Sequence, residues 1–141
     1  MKIPSLLFLS LTGLIFLGCD YDTAAPNTFE YHAHIHAPDA ETKHFGDTLH
    51  IEVEFESHTA MNVDHVNVRI YEAVSGTEVY NKPDNAHLHG VGSFYVFEDE
   101  LVLLTANGFM DQTQYVLAAR VWTHANGLEE AIEEVSFRVT E

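Results

Sequence analysis

The sequence predicts an all-β protein, an antiparallel sandwich of about seven strands. Three observations carry this. Apolar and polar residues alternate over successive segments, turn residues punctuate the chain between them, and no part of the domain shows helical periodicity. The 141 residues suit a single domain, and the 46% apolar content is that of a globular protein.

In the first strand, Thr28 to His36 sets Phe29, Tyr31, Ala33 and Ile35 against Glu30, His32, His34 and His36. Side chains two apart in a strand share a face, so one face is apolar and the other carries His and Glu. Thr48 to Glu56 repeats the pattern, with Leu49, Ile51, Val53 and Phe55 against His50, Glu52, Glu54 and Glu56. Val66, Val68 and Ile70 alternate with His65, Asn67, Arg69 and Tyr71 in a third strand. Ser75-Gly76 is a turn, and Thr77 to Tyr80 is a short fourth strand closed by Pro83-Asp84. Ser93 to Leu103 is a fifth, ended by Ala106-Asn107-Gly108. Gln114 to His124 is a sixth, Asn126-Gly127 a tight turn, and Ile132 to Val139 a seventh. Trp122 falls on the face opposite Tyr115, Leu117 and Val121, as core or as a surface platform.

The closing segment is more specific. Thr113-x-Tyr115-x-Leu117-x-Ala119, then Asn126-Gly127, then Val135-x-Phe137-x-Val139 resembles the end of fibronectin type III and related immunoglobulin-like domains. That resemblance implies an immunoglobulin-like sandwich and no particular activity. Gly46-Asp47-Thr48-Leu49-His50-Ile51 is also similar to sandwich domains of uncharacterised Bacteroidota lipoproteins.

The N-terminus is of another kind. Met1-Lys2 precedes an apolar run from Ile3 to Leu17, too short to span a ~30 Å hydrocarbon core but suited to a signal-peptide h-region. The run ends at Phe16-Leu17-Gly18-Cys19, which resembles the lipobox of bacterial lipoproteins. The resemblance implies that 1–18 is a signal peptide and that Cys19 carries the acyl chains (palmitate among them). Residues 19–27 would then be a tether, 28–141 the domain, and the location a bacterial membrane of the cell envelope, on its periplasmic or surface face.

Charge and cysteine content narrow the function. With 22 Asp and Glu against 6 Lys and Arg, the formal charge of −16 excludes a nucleic-acid partner, whose phosphates would go unneutralised. Cations are favoured instead. The one Cys builds neither an intramolecular disulfide nor a multi-thiolate zinc site.

Histidine is the feature that composition does not explain. Seven of the ten (His32, His34, His36, His44, His50, His58 and His65) lie within residues 32–65. His32, His34 and His36 share a strand face, and antiparallel pairing of the first two strands would bring His36 near His50, His34 near Glu52 and His32 near Glu54, within a register of about two. Neutral imidazoles interleaved with carboxylates suit a borderline divalent ion such as Zn²⁺, Cu²⁺ or Ni²⁺. The expected metal ligands are therefore His32, His34, His36 and His50. His87 and His89 come next, completing the site if the fifth strand flanks the second. His44, His58 and His124 read as loop polarity. Glu98, Asp99, Glu100 and Asp111 lack calcium-loop spacing and read as a charged edge.

No nucleophile elbow, P-loop or dinucleotide fingerprint is present, so no enzymatic activity is expected. The functional expectation is an envelope lipoprotein that binds a transition metal. The alternative is a non-catalytic interaction module for a protein or glycan partner, with incidental histidines.

Overall fold

Period-two alternation becomes strand wherever the sequence offers it. The computed structural model describes residues 30–58, 61–83, 87–123 and 130–141. The expected leader 1–18, Cys19, the expected tether 19–27, His124 and the expected turn at Asn126-Gly127 lie outside them. The strands are β1 (Tyr31–Ala37), β2 (Lys43–His44), β3 (Thr48–Ser57), β4 (His65–Glu72), β5 (Glu78–Lys82), β6 (Phe94–Val102), β7 (Thr113–Trp122) and β8 (Ala131–Thr140). They form a three-stranded sheet, β1-β3-β6, and a five-stranded sheet, β2-β8-β7-β4-β5. Together these make an immunoglobulin-like sandwich.

Every pairing between these strands is antiparallel except one, where Lys43 and His44 of β2 run parallel to Val139 and Thr140 of β8. β2 is the eighth strand, absent from the sequence expectation of seven. Two residues are too few to show any alternation. By this short strand the chain leaving β1 crosses from one sheet to the other.

The apolar faces meet in the middle. Ile51, Val53 and Phe55 of β3 face Val66, Val68 and Ile70 of β4 and Tyr115, Leu117 and Val121 of β7 within one fully buried cluster. Burying each such side chain contributes about 1.5–3 kcal/mol. On the flank where β5 and β6 are the sheet edges, the Tyr80 hydroxyl donates to Asp99 Oδ2 at 2.6 Å, tying one sheet to the other. Burial and the Asp99 carboxylate both push the Tyr80 phenol far above its usual range.

The Thr-x-Tyr pattern at the start of β7 has a physical role. Tyr115 is fully buried, and its hydroxyl accepts the Met110 N–H at 2.8 Å while donating to the Gly108 carbonyl at 3.4 Å. Gly108 has φ +88°, and a Cβ there would meet the Val79 side chain at 2.9 Å, so only glycine fits. This is the tyrosine corner of immunoglobulin-like domains. Tyr115→Phe leaves the Met110 N–H without its acceptor and is expected to cost about 1–3 kcal/mol. Urea titration should show a lower midpoint at unchanged slope.

Candidate metal centre

Two groups of histidines occupy different parts of the sandwich. The first is the set expected from sequence. β1 pairs with β3 so that His32 lies opposite Glu56 and His34 opposite Glu54, two residues from the expected register. A register irregularity between Ile35 and Ala37 then places Ala37, not His36, across from Glu52. His50 consequently lies beyond the β1 pairing, opposite Glu100 of β6.

Each of these imidazoles contacts a carboxylate. His32 Nε2 is 3.2 Å from Glu30, His34 Nε2 3.1 Å from Glu56, His36 Nε2 3.6 Å from Glu54 and His50 Nε2 3.7 Å from Glu52. The expected register is met only at the limit of its two-residue tolerance, and His36 and His50 meet different carboxylates, Glu54 and Glu52. What the set does gather is His58, whose Nε2 is 2.7 Å from the same Glu56 oxygen and whose ring lies 4.5 Å from that of His32. Hydrogen bonds from His58 and His34 hold the Glu56 carboxyl below its ordinary range, and the Glu56 carboxylate in turn raises His58.

The second group lies where β4 begins. Pro83 follows β5, and the chain returns to β4 at His87, which makes an isolated antiparallel bridge to His65. Backbone bonds from Leu88 N to the Asp64 carbonyl (2.8 Å) and from Val63 N to the Gly92 carbonyl (2.9 Å) lace the returning segment down. Leu88 and Val91 pack against the core beneath it. Ser57 N then bonds the Ser93 carbonyl at 2.8 Å and leads the chain into β6. β6 does flank β3, but His87 joins His65 at the β4 edge and so does not complete the β1–β3 set.

His65 and Trp122 are register partners that alternate with core residues Val66 and Val121, so they stand on the outer face of the five-stranded sheet. His65 is nonetheless only 6% exposed, because its ring stacks between Trp122 at 5.3 Å and His87 at 4.6 Å. Trp122 is therefore no core residue. It is half-buried, walling one side of His65, with the Arg120 guanidinium 5.5 Å from its ring.

The Asp64 carboxylate completes the group. Its Oδ2 is 3.0 Å from His65 Nδ1 and its Oδ1 is 3.0 Å from His87 Nε2. Thr123 Oγ1 donates to Oδ2 at 3.3 Å. Partial burial pushes the carboxyl up, but His65, Thr123 and His87 outweigh it and hold Asp64 below its ordinary range. Among the described residues, Asp64, His65 and His87 are the one group whose three ligand atoms lie within 4.8 Å of one another. Donors about 2.0–2.1 Å from a tetrahedral ion are separated by about 3.3 Å, so the group needs little movement to close on one. His89 stands next to it, its ring 4.3 Å from that of His87. A cleft of about 300 Å³, lined by Met61, Asn62, Asp64 and Thr123, adjoins the carboxylate.

Two imidazole nitrogens and one carboxylate oxygen suit a borderline divalent transition ion and are too few and too nitrogen-rich for calcium. Three protein donors beside a cleft leave coordination positions for water or an exchanging ligand. Of this group, sequence reasoning named only His87 as a candidate ligand; the structure brings Asp64 and His65 to it. The local signal was the Asp64-His65 pair opening a strand. The convergence itself depends on the return of the chain to β4 after Pro83, which no local pattern encodes.

The titrations have opposite signs. Asp64 and Glu56 are lowered on folding, so the stability they contribute is present above about pH 4 and lost as pH falls below it. His58 is raised, so its contribution is complete below about pH 6.5 and lost as pH rises through its folded value. The metal-free protein is thus expected to gain stability from these groups most fully between about pH 4 and 6.5, read as thermal midpoint against pH.

No protein-family model matches the chain, and no curated protein matches it. Among solved structures, the CARDB domain of the PF1109 protein from Pyrococcus furiosus, crystallised in complex with di-metal ions, is 18% identical. The match covers 81% of this chain and 96% of that one, with a TM-score of 0.46. The solution structure of the same domain is 19% identical over 78% of this chain and 95% of that one, with a TM-score of 0.49. A β-glucosidase from Listeria innocua, in complex with glucose, is 15% identical over 79% of this chain and 16% of that one, with a TM-score of 0.43. At these levels the likeness bears on neither ligand nor activity.

Proposed function

We propose that the protein is a lipid-anchored envelope protein, held at Cys19, that binds one divalent transition metal through Asp64, His65 and His87. Zn²⁺ and Cu²⁺ are the ions this donor set suits best. The observation that supports it is the convergence of three ligand atoms within 4.8 Å on a backbone fixed by the β4 bridge to His87. An ionised Asp64 and a stacked, nearly buried His65 give the site two pre-positioned donors. The adjoining cleft leaves the ion accessible, which fits buffering, sensing or delivery of the metal better than catalysis upon it. The lipobox resemblance around Cys19 supports the envelope location, and the excess of acidic residues supports capture of cations there.

Calorimetric titration of the untagged full chain with Zn²⁺ near neutral pH tests this. A dissociation constant of about 10⁻⁶ M or tighter is expected, and nothing tighter than about 10⁻⁴ M would contradict it.

A further inference from the structure

The two sheets end in β1 and β6 on one side of the sandwich and in β2 and β5 on the other. Most of these edges are blunted. β1 carries a register irregularity at Ile35–Ala37 and runs into Pro38, β5 is short and runs into Pro83, and β2 has two residues. β6 has nine residues, pairs with β3 without a shift and contains no Pro, Lys or Arg. Its protection against another strand rests on the acidic charge of Glu98, Asp99 and Glu100, which turns away most strands and attracts a cationic one.

The backbone of β6 is open along its first half. The Ser57 N–H bonds the Ser93 carbonyl and the Leu103 N–H bonds the Asp47 carbonyl, so the odd-numbered residues between them face β3. The N–H and C=O groups of Phe94, Val96, Glu98, Glu100 and Val102 therefore point away from the sheet. Two of these are satisfied locally: the Glu100 N–H donates to Asp99 Oδ1 and Asn107 Nδ2 donates to the Val102 carbonyl, both at 2.8 Å. Among the described residues, the N–H and C=O groups of Phe94, Val96 and Glu98 have no partner. Beside this open row Phe94 is 52% exposed and Val96 37% exposed, both large apolar side chains.

The charge around the edge specifies what covers it. Glu98 lies directly across from Glu52, and β1, β3 and β6 contain no Lys or Arg. Like charges directly opposite one another destabilise a sheet, and a cation brought between them relieves the repulsion. An open hollow of about 370 Å³, lined by His50, Glu98, Asp99 and Glu100, has room for one. A second copy is a poor occupant. Antiparallel self-pairing about Val96 would lay each Glu98 against a Phe94 ring and join two chains of formal charge −16.

We infer that the outer edge of β6 docks an extended cationic segment of another protein, in which apolar residues alternate with Lys or Arg. The segment pairs with Phe94, Val96 and Glu98 as a fourth strand of the three-stranded sheet. Its basic side chains lie on the outer face, their stems over Phe94 and Val96 and their charges at Glu98 and Glu100. Its apolar side chains extend the rim that half-buried Tyr95 and Leu101 form at the core. The edge shares no residue with the Asp64 centre, so docking does not depend on a metal.

The probe is a capped peptide of alternating valine and lysine, titrated into the full chain at physiological salt with chelator present. Residues directly opposite in a ladder share a face, so the lysine amides are the ones that meet β6. Saturable binding is expected, with the Phe94, Val96 and Glu98 amides becoming protected from hydrogen exchange. N-methylation of the lysine amides keeps the charge and removes the donors, and should weaken binding about tenfold or more. Val96→Pro removes an outward N–H while sparing the β3 ladder, and should do the same, with folding checked by near-ultraviolet circular dichroism. Glu98→Lys with Glu100→Lys alters exposed side chains alone and should also weaken binding about tenfold or more. Equal binding of the N-methylated peptide, protection confined to other strands, or self-association of the chain abolished by Val96→Pro would overturn the inference.

Discussion

Asp64→Asn is expected to weaken Zn²⁺ binding at the β4 centre by about a hundredfold or more. Removing a mere outer-shell partner of a metal site costs about 10–100-fold, and Asp64 supplies one of only three donors and the only negative charge among them. The loss should be one of binding and not of folding. Asn keeps the size of the side chain and an oxygen for the Thr123 hydroxyl, and the Leu88 N–H bonds the Asp64 backbone carbonyl, which the substitution leaves alone. The same chemistry fixes the acid dependence. Both imidazoles must be neutral to coordinate, so protons compete with the ion and affinity should be weaker at about pH 5 than at about pH 7.5. Calorimetry at pH 5 and 7.5 on the two proteins separates these effects. Wild-type affinity carried unchanged into the variant would exclude Asp64 from the coordination sphere.

Phe55→Ala should lower stability by about 3–5 kcal/mol, the range for deleting a large aromatic ring from a core that cannot collapse around the gap. Phe55 has no exposed surface and lies opposite Ala33 of β1 and Tyr95 of β6, so it spans the middle of the three-stranded sheet. Its ring lies 6.4 Å from that of Tyr95. Ala33 is too small to swing into the cavity, and strands held by ladder bonds on both sides have little freedom to close it. With total stability of a domain this size at about 5–15 kcal/mol, the variant should unfold at a much lower urea concentration. A change below about 1 kcal/mol would mean that the sheets pack less closely than described.

The fold was legible because alternation is a local signal. Tyr31, Ala33, Ile51, Val53, Phe55, Val66, Val68 and Ile70 were readable as inward residues from spacing alone, and all are buried. The Thr113-x-Tyr115 pattern carried the corner because its hydrogen bonds are made within a few residues. Register was less legible. The connection of β1 to β3 contains β2, whose pairing with β8 is long-range, and the irregularity at Ile35–Ala37 moves Ala37 into the place opposite Glu52.

The candidate site was legible only in part, for the same reason. That His32, His34 and His36 share a face with glutamates followed from period two, but which nitrogen meets which oxygen depends on register and rotamer. His58 read as loop polarity because the expected strand ends at Glu56; carried one step further, period two puts His58 on the Glu56 face, where it meets that carboxylate. Asp64 and His65 acquire their third partner only through the bridge between His65 and His87, over twenty residues later in the chain. Trp122 was ambiguous because its outward position is covered by the His65 ring from β4 and by the Arg120 guanidinium two residues earlier in its own strand.

The most direct test of the β4 metal centre is zinc K-edge X-ray absorption on the full chain loaded with one equivalent of Zn²⁺. The expected spectrum has a nitrogen and oxygen shell at about 2.0–2.1 Å, with outer scattering from two imidazoles that falls to one in His87→Ala. A shell of oxygen alone, or two-imidazole scattering that survives His87→Ala unchanged, would contradict it.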